Sequence, residues 1–189
     1  DKGSVDFYDM KGIVEGLLEA MQVSDYTMTR SQQPYLHPGK SCDIVVNGEV
    51  IGSFGEVHPV VQENFELDQV TYVLEMAVEP LVASATAVPQ YKHLPKFPSM
   101  SRDIAVVVPA EVTNAELEQV IRAHAGELLQ GVRVFDIYTG KQVAAGCKSM
   151  AFNLTYQAAD RTLTDAEVDA SMKKVIAEVA EAYKAKLRD

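Results

Sequence analysis

Residues 132–169, VRVFDIYTGKQVAAGCKSMAFNLTYQAADRTLTDAEVD, decide the fold, because two runs of alternating polarity feed a capped amphipathic helix. In the first run Val134, Asp136 and Tyr138 share one set of alternate positions, and Phe135 and Ile137 the other. The apolar pair is expected to face a core and the Asp/Tyr set to face outward. In the second run Met150, Phe152, Leu154 and Tyr156 point one way, and Ser149, Ala151, Asn153 and Thr155 the other. Such a pattern belongs to a sheet covered by helices on one side only. An open face with a tyrosine, an aspartate and small hydroxyl residues suits an unstacked nucleic-acid base: the ring stacks and its neighbours bond to the base edges. The same residues also suit plainer roles, Tyr138 closing a core at a strand end and Asp136 pairing with Arg133 or Lys148.

Upstream, SRDIAVVVP (101–109) reads as a strand with Ile104, Val106 and Val108 on one face. Thr113 with Glu116 forms a capping box, and Leu117, Val120, Ile121, His124 and Leu128 follow at helical spacing. Thr164 with Glu167 forms a second box before Val168, Met172, Val175, Ile176, Val179 and Tyr183, and a short strand is expected over 185–188. Strand, helix, strand, strand, helix, strand is the ferredoxin-like βαββαβ order, with both helices on one sheet face. That fold hosts many unrelated functions, so the site must assign one.

The first half is also α+β. Residues 7–21 place Met10, Ile13, Val14, Leu17, Leu18 and Met21 at helical spacing, with Asp6 or Asp9 near the start. Asn47-Gly48 between two β-rich runs marks a two-residue hairpin over 42–54. A strand is expected over 71–78, and a short helix opened by Pro59 over 59–66. Between Pro80 and Pro98 lie four of the eight prolines, a density that blocks regular helix. The expected organisation is a first domain over 1–85, a proline-rich linker over 86–98 and a second domain over 99–189.

The 189 residues carry a net charge of −10, against a basic surface that wraps duplex nucleic acid. The charge is uneven. Residues 1–94 hold 5 Lys/Arg against 14 Asp/Glu, and residues 95–189 hold 12 against 13. A polyanion is therefore expected at the second half and a protein partner at the acidic first half. Cys42 and Cys147 are far apart and lack ligand spacing, so neither a disulfide framework nor a zinc site is indicated, and a cytoplasmic setting is expected. No apolar run approaches a membrane span, and the opening DKGSVDFYDMKG enters a helix at once, as in a piece of a longer polypeptide.

Candidates for catalysis are weak. His37 and His58 precede prolines, His93 lies in the linker and His124 on an apolar helix stripe, none beside a nucleophile. Asp165 and Glu167 read as first-turn residues favouring the helix dipole. No GxxxxGK[ST] loop is present, and Arg30 is the single arginine of the first 94 residues, so nothing there clamps a triphosphate. On the RNA reading of the open face, by contrast, Tyr138 is expected to stack a base, Asp136 to accept from a base N–H, Ser149 to meet an edge or phosphate, and Lys148, Lys141 and Arg188 to supply positive charge.

The strings DFYDMKGIVEGLL, LHPGKSCDIVVNGEVIGSFGEVHP, FPSMSRDIAVVV, VRVFDIYTG and KSMAFNLTYQAADRTLTDAEVD, in this order, resemble the C-terminal part of the β subunit of bacterial phenylalanyl-tRNA synthetase over nearly the whole chain. The resemblance implies an α+β fold: a partial class II synthetase-like antiparallel sheet domain followed by a ferredoxin-like anticodon-binding domain. It implies that Asp136, Tyr138 and Ser149 lie at the first anticodon base of the phenylalanine tRNA, with Lys148 beside them and Arg188 as a phosphate contact. It implies no catalytic residue and no cofactor in this chain. ATP and magnesium would belong to the whole enzyme, whose α subunit would be the partner in a heterotetramer. Two other readings stand beside it: a ferredoxin-like protein-interaction or regulatory module, and a small-molecule enzyme on the first domain.

Overall fold

A computed structural model of the protein describes residues 4–86, 88, 91, 94–140 and 142–188. The chain divides into two compact units, Asp1–Lys92 and His93–Asp189.

The first unit holds α1 (Phe7–Ala20), β1 (Tyr26–Arg30), β2 (Leu36–Val46), β3 (Glu49–Val57), α2 (Pro59–Asn64), β4 (Tyr72–Met76) and α3 (Val78–Ser84). Its strands form an antiparallel sheet in the order β1-β2-β3-β4. Asp6 caps α1, accepting from Tyr8 N at 2.7 Å and Asp9 N at 3.1 Å, while Asp9 accepts from Asp6 N at 2.8 Å. The helix buries Val14 and Leu18 against Ile44, Phe54 and Leu81. Asn47 and Gly48 take φ values of 52° and 81°, the left-handed pair of a type I′ turn, and Val46 pairs with Glu49 across it.

Two elements depart from expectation. β1 was not expected: it is only five residues long, with Tyr26 and Met28 on the core and Thr27 and Thr29 exposed, and pairing with β2 from Tyr26 to Arg30 holds it. α3 enters the segment whose prolines were expected to exclude helix. Pro80 is the third residue of that helix, in the first turn, where a backbone N–H would have no intrahelical acceptor and its loss costs nothing.

Glu56 is buried on β3 and accepts from Lys40 Nζ at 2.6 Å and Tyr72 Oη at 3.0 Å. Burial alone would raise its carboxyl, but the bonds from Lys40 and Tyr72 outweigh that and hold it below the usual range. Burial, then the Glu56 carboxylate, pushes the Tyr72 phenol from 10.0 up to about 12. The two groups act at opposite ends of the pH scale. For Glu56 the folded chain holds its proton less tightly than the unfolded chain. Its stabilisation is thus full above the ordinary carboxylate value and fades as pH falls through the lowered one. For Tyr72 stabilisation is full below 10.0 and fades as pH rises toward about 12. Urea midpoints measured across pH should fall at both ends, and Tyr72→Phe should remove the alkaline loss specific to this phenol. An unchanged alkaline limb in that variant would contradict the network.

The second unit holds β5 (Met100–Pro109), α4 (Asn114–Ala125), β6 (Leu129–Tyr138), β7 (Cys147–Tyr156), α5 (Asp165–Tyr183) and β8 (Lys186–Leu187). The strand order β6-β7-β5-β8, antiparallel throughout, is the ferredoxin-like arrangement. Both expected capping boxes form, Thr113 with Glu116 and Thr164 with Glu167. The two helices cover one face, where Leu117, Ile121, Val168, Val175 and Val179 pack on Val106, Val108, Met150, Phe152, Leu154 and Tyr156.

The alternation along β6 breaks. Its register with β7 passes from Val134 opposite Phe152 to Asp136 opposite Ala151, so Phe135 is an extra, bulged residue. Val132 and Val134 therefore turn inward and pack on the core, whereas Phe135 and Ile137 are 53% and 52% exposed. The expectation that Phe135 faces the core is corrected accordingly, whereas Ile137, opposite the core residue Met150, keeps the helix-covered side but lies exposed there near the end of the edge strand. A bulge suits this position, since β6 is an edge strand and its twist discourages pairing with another chain.

Candidate nucleic-acid interface

Neither helix of the second unit packs on the other face of its sheet, where cross-strand pairing sets the side chains in rows. At one end lie Tyr138, Ser149, Val107 and Lys186. Next come Asp136, Ala151 and Ala105, with Arg188 N bonded to Ala105 O at 2.9 Å. Arg133, Asn153 and Asp103 follow, then Gly131, Thr155 and Ser101. The bulge at Phe135 is what keeps Asp136 and Tyr138 on the side of Ser149 while Val134 serves the core.

Three of the expected site residues therefore meet on one surface: Asp136 exposed, Tyr138 half-buried and Ser149 buried at 3% exposure. Arg188 joins them. Its guanidinium lies 4.6 Å from the centre of the Tyr138 ring, a cation–π stack, and its Nη2 donates to Gln142 Oε1 at 3.1 Å. Lys148 does not join them. It pairs with Val108, so it alternates onto the helix side, where its charge helps to hold the Glu116 carboxyl below the usual range after the side-chain and backbone bonds of Thr113. Lys141 lies outside the described residues.

The burial of Ser149 was not legible in the alternation. β7 is central, with Tyr138 and Val107 on either side of Ser149, and Ala151 in the next row is also buried. The serine is thus covered on a central strand beside the tyrosine. Gly140 was likewise missed, although a glycine two residues after the tyrosine was the available signal. A Cβ built on it would fall on the Tyr138 hydroxyl, so only glycine leaves the ring where it stands. Gly140→Ala should displace the ring at little cost to folding, because the far end of an edge-strand side chain can swing away. The result should be an unfolding midpoint close to the parent, with the Tyr138 ring resonances shifted in a two-dimensional NMR spectrum. Unshifted ring resonances would show that the contact does not position the tyrosine.

The described histidines serve the backbone. His37 Nδ1 accepts from Gly39 N at 3.0 Å, His58 Nδ1 caps α2 at Val60 N at 3.2 Å, and His124 Nδ1 donates to Val120 O at 2.9 Å. His93 lies outside the described residues. Both cysteines are free, and burial pushes the Cys42 thiol up. Among the described residues no three His, Cys, Asp or Glu side chains stand close enough to share a metal ion, and no helix is long and apolar enough to cross a membrane.

Comparison with known proteins agrees with this architecture in both units. Residues 95–188 match the family model described as ferredoxin-fold anticodon binding domain, and residues 1–78 match the phenylalanyl tRNA synthetase beta chain CLM domain. The chain is 45% identical over 183 residues to the phenylalanine--tRNA ligase beta subunit of Symbiobacterium thermophilum, covering 97% of this chain and 20% of that protein. It is 42% identical over 189 residues to the beta subunits of Shouchella clausii and Bacillus subtilis, covering 100% of this chain and 23% of each relative. It spans about a fifth to a quarter of the length of these relatives. With both of its units matched in order and its full length aligned, the chain belongs to the phenylalanine–tRNA ligase β-subunit family and carries that family's ferredoxin-fold anticodon-binding domain.

Proposed function

We propose that the second unit recognises the anticodon of the phenylalanine tRNA on its helix-free sheet face, while the first unit scaffolds it within the ligase. The observation that carries this reading is the meeting of Tyr138, Asp136 and Ser149 at one end of that face, with Arg188 stacked on the ring. Stacking on the phenol is indifferent to base identity, so discrimination falls to Asp136, which accepts from a base N–H, and to Ser149, which both donates and accepts. A centroid distance of 4.6 Å leaves no room for a base between Arg188 and Tyr138. Arg188 therefore leaves the ring face on binding and takes a phosphate, exchanging a cation–π contact for a charge-assisted hydrogen bond.

The triphosphate of ATP, which serves the whole enzyme together with magnesium, finds no fit in the first unit. The sheet face turned away from α1 presents Thr29, Asp43, Ser53 and Glu75 in one row, with Asp43 accepting from Ser53 and Glu75 from Tyr35. Arg30 pairs with Cys42 and so lies on the opposite face. Carboxylates without a facing arginine repel a triphosphate. The exposed Ile13, Val60 and Phe65 suit a protein partner instead, and we assign that role to the α subunit, in the cytoplasm.

The test is a titration of the chain with two RNA hairpins, one carrying the phenylalanine anticodon and one with its first base changed. Tighter binding of the first, by about tenfold or more for a lost base contact, is expected. Equal affinity, or none, would instead favour a protein-interaction role for this face.

A further inference from the structure

The uncovered face extends well beyond the residues that meet at Tyr138. Two rows along β7, Arg133, Asn153 and Asp103 stand side by side across three strands, followed by Gly131, Thr155 and Ser101. None of these six residues has an apolar side chain, unlike the centre of a protein–protein interface. Arg133 is exposed on the edge strand, and its guanidinium has no hydrogen-bond or ion-pair partner among the described residues. Asn153 is oriented: its Nδ2 donates to Asp103 Oδ1 at 2.6 Å, and its Oδ1 accepts from Thr155 Oγ1 at 3.4 Å. One amide N–H of Asn153 is left pointing away from both partners.

We infer that Arg133 and Asn153 form a second RNA subsite, Arg133 holding a backbone phosphate and the remaining Asn153 N–H meeting a ribose hydroxyl. The inference rests on the anticodon-reading role proposed for Tyr138 and extends it along the same surface. The electrostatics favour it. A chain of net charge −10 repels RNA as a whole, yet among the described residues this face sets Arg133, Lys186 and Arg188 against Asp103 and Asp136. Asp103 is also engaged by Asn153, which turns its charge to orienting the amide. The spacing agrees as well. Ser149 and Asn153 are four residues apart on β7, about 13 Å at the usual strand rise. A stacked strand advances about 3.4 Å per nucleotide. A base seated at Tyr138 therefore places a phosphate up to about four nucleotides away over Arg133.

Because phosphate carries no sequence information, the two subsites leave different signatures. Arg133→Ala and Arg133→Glu in the full chain should be titrated with the two hairpins at several salt concentrations, beside Tyr138→Ala. Arg133→Ala should weaken both hairpins by the same factor, roughly fivefold to tenfold, and lower the slope of log affinity against log salt by about one. Arg133→Glu should weaken both further. Parent-like affinity and slope in both Arg133 variants, while the parent discriminates between the hairpins and Tyr138→Ala binds the cognate one more weakly, would overturn the subsite and leave anticodon reading intact. Failure of the parent chain to bind either hairpin would remove both.

Discussion

Tyr138→Ala should weaken binding of the cognate hairpin by about ten- to a hundredfold, the effect of removing one base–aromatic stack worth about 1–3 kcal/mol. The fold should survive. Tyr138 is half-buried on an edge strand, outside the residues of the helix-covered core, so its removal forfeits one cation–π contact worth about 1 kcal/mol. Tyr138→Phe keeps the π face and should bind within a few-fold of the parent. Asp136→Ala should act differently, bringing the affinities of the cognate and altered hairpins together because the group that distinguishes base edges is gone. Fluorescence anisotropy with labelled hairpins measures all three. Loss of binding in Tyr138→Phe equal to that in Tyr138→Ala would mean that the hydroxyl, not the ring, makes the contact.

The second large effect concerns stability and turns on two phenylalanines of adjacent strands. Phe152→Ala should destabilise the second unit by about 3–5 kcal/mol, since the side chain is fully buried between the sheet and both helices. Domains are stable by only about 5–15 kcal/mol, so this substitution brings the unit near unfolding at room temperature. Phe135→Ala should cost less than about 1 kcal/mol, because the bulge leaves Phe135 53% exposed. Urea denaturation of the two variants decides between the registers. Simple alternation would give them similar costs, whereas the bulged register separates them by several kcal/mol.

That pair shows where the sequence is legible and where it is not. β7 alternates because it is central, has no extra residue of its own and pairs without a shift with β5, so Phe152 and Ser149 could be assigned to opposite faces from their positions alone. β6 does not, because a bulge adds Phe135 without any glycine or proline to mark it, and Val132, Arg133 and Val134 before it change face. Asp136 and Tyr138 kept their expected side, since they follow the bulge. Both capping boxes were legible because their reciprocal bonds span only three residues. Helix α3 was hidden because proline in a first turn reads like proline in a loop. The stack of Arg188 on Tyr138 and the row of Arg133 with Asn153 join residues far apart in the chain, and only the register of β6, β7, β5 and β8 brings them to one surface.

One titration tests anticodon reading on the helix-free face most directly. Isotope-labelled chain would be followed by NMR as the cognate hairpin is added. Shifts should appear at Asp136, Tyr138, Ser149 and Arg188 and extend along β7 to Asn153 and Arg133, while Leu117, Val168 and Val175 stay unmoved. Shifts confined to the helix side, or to the first unit, with the Tyr138 ring unchanged, would contradict it.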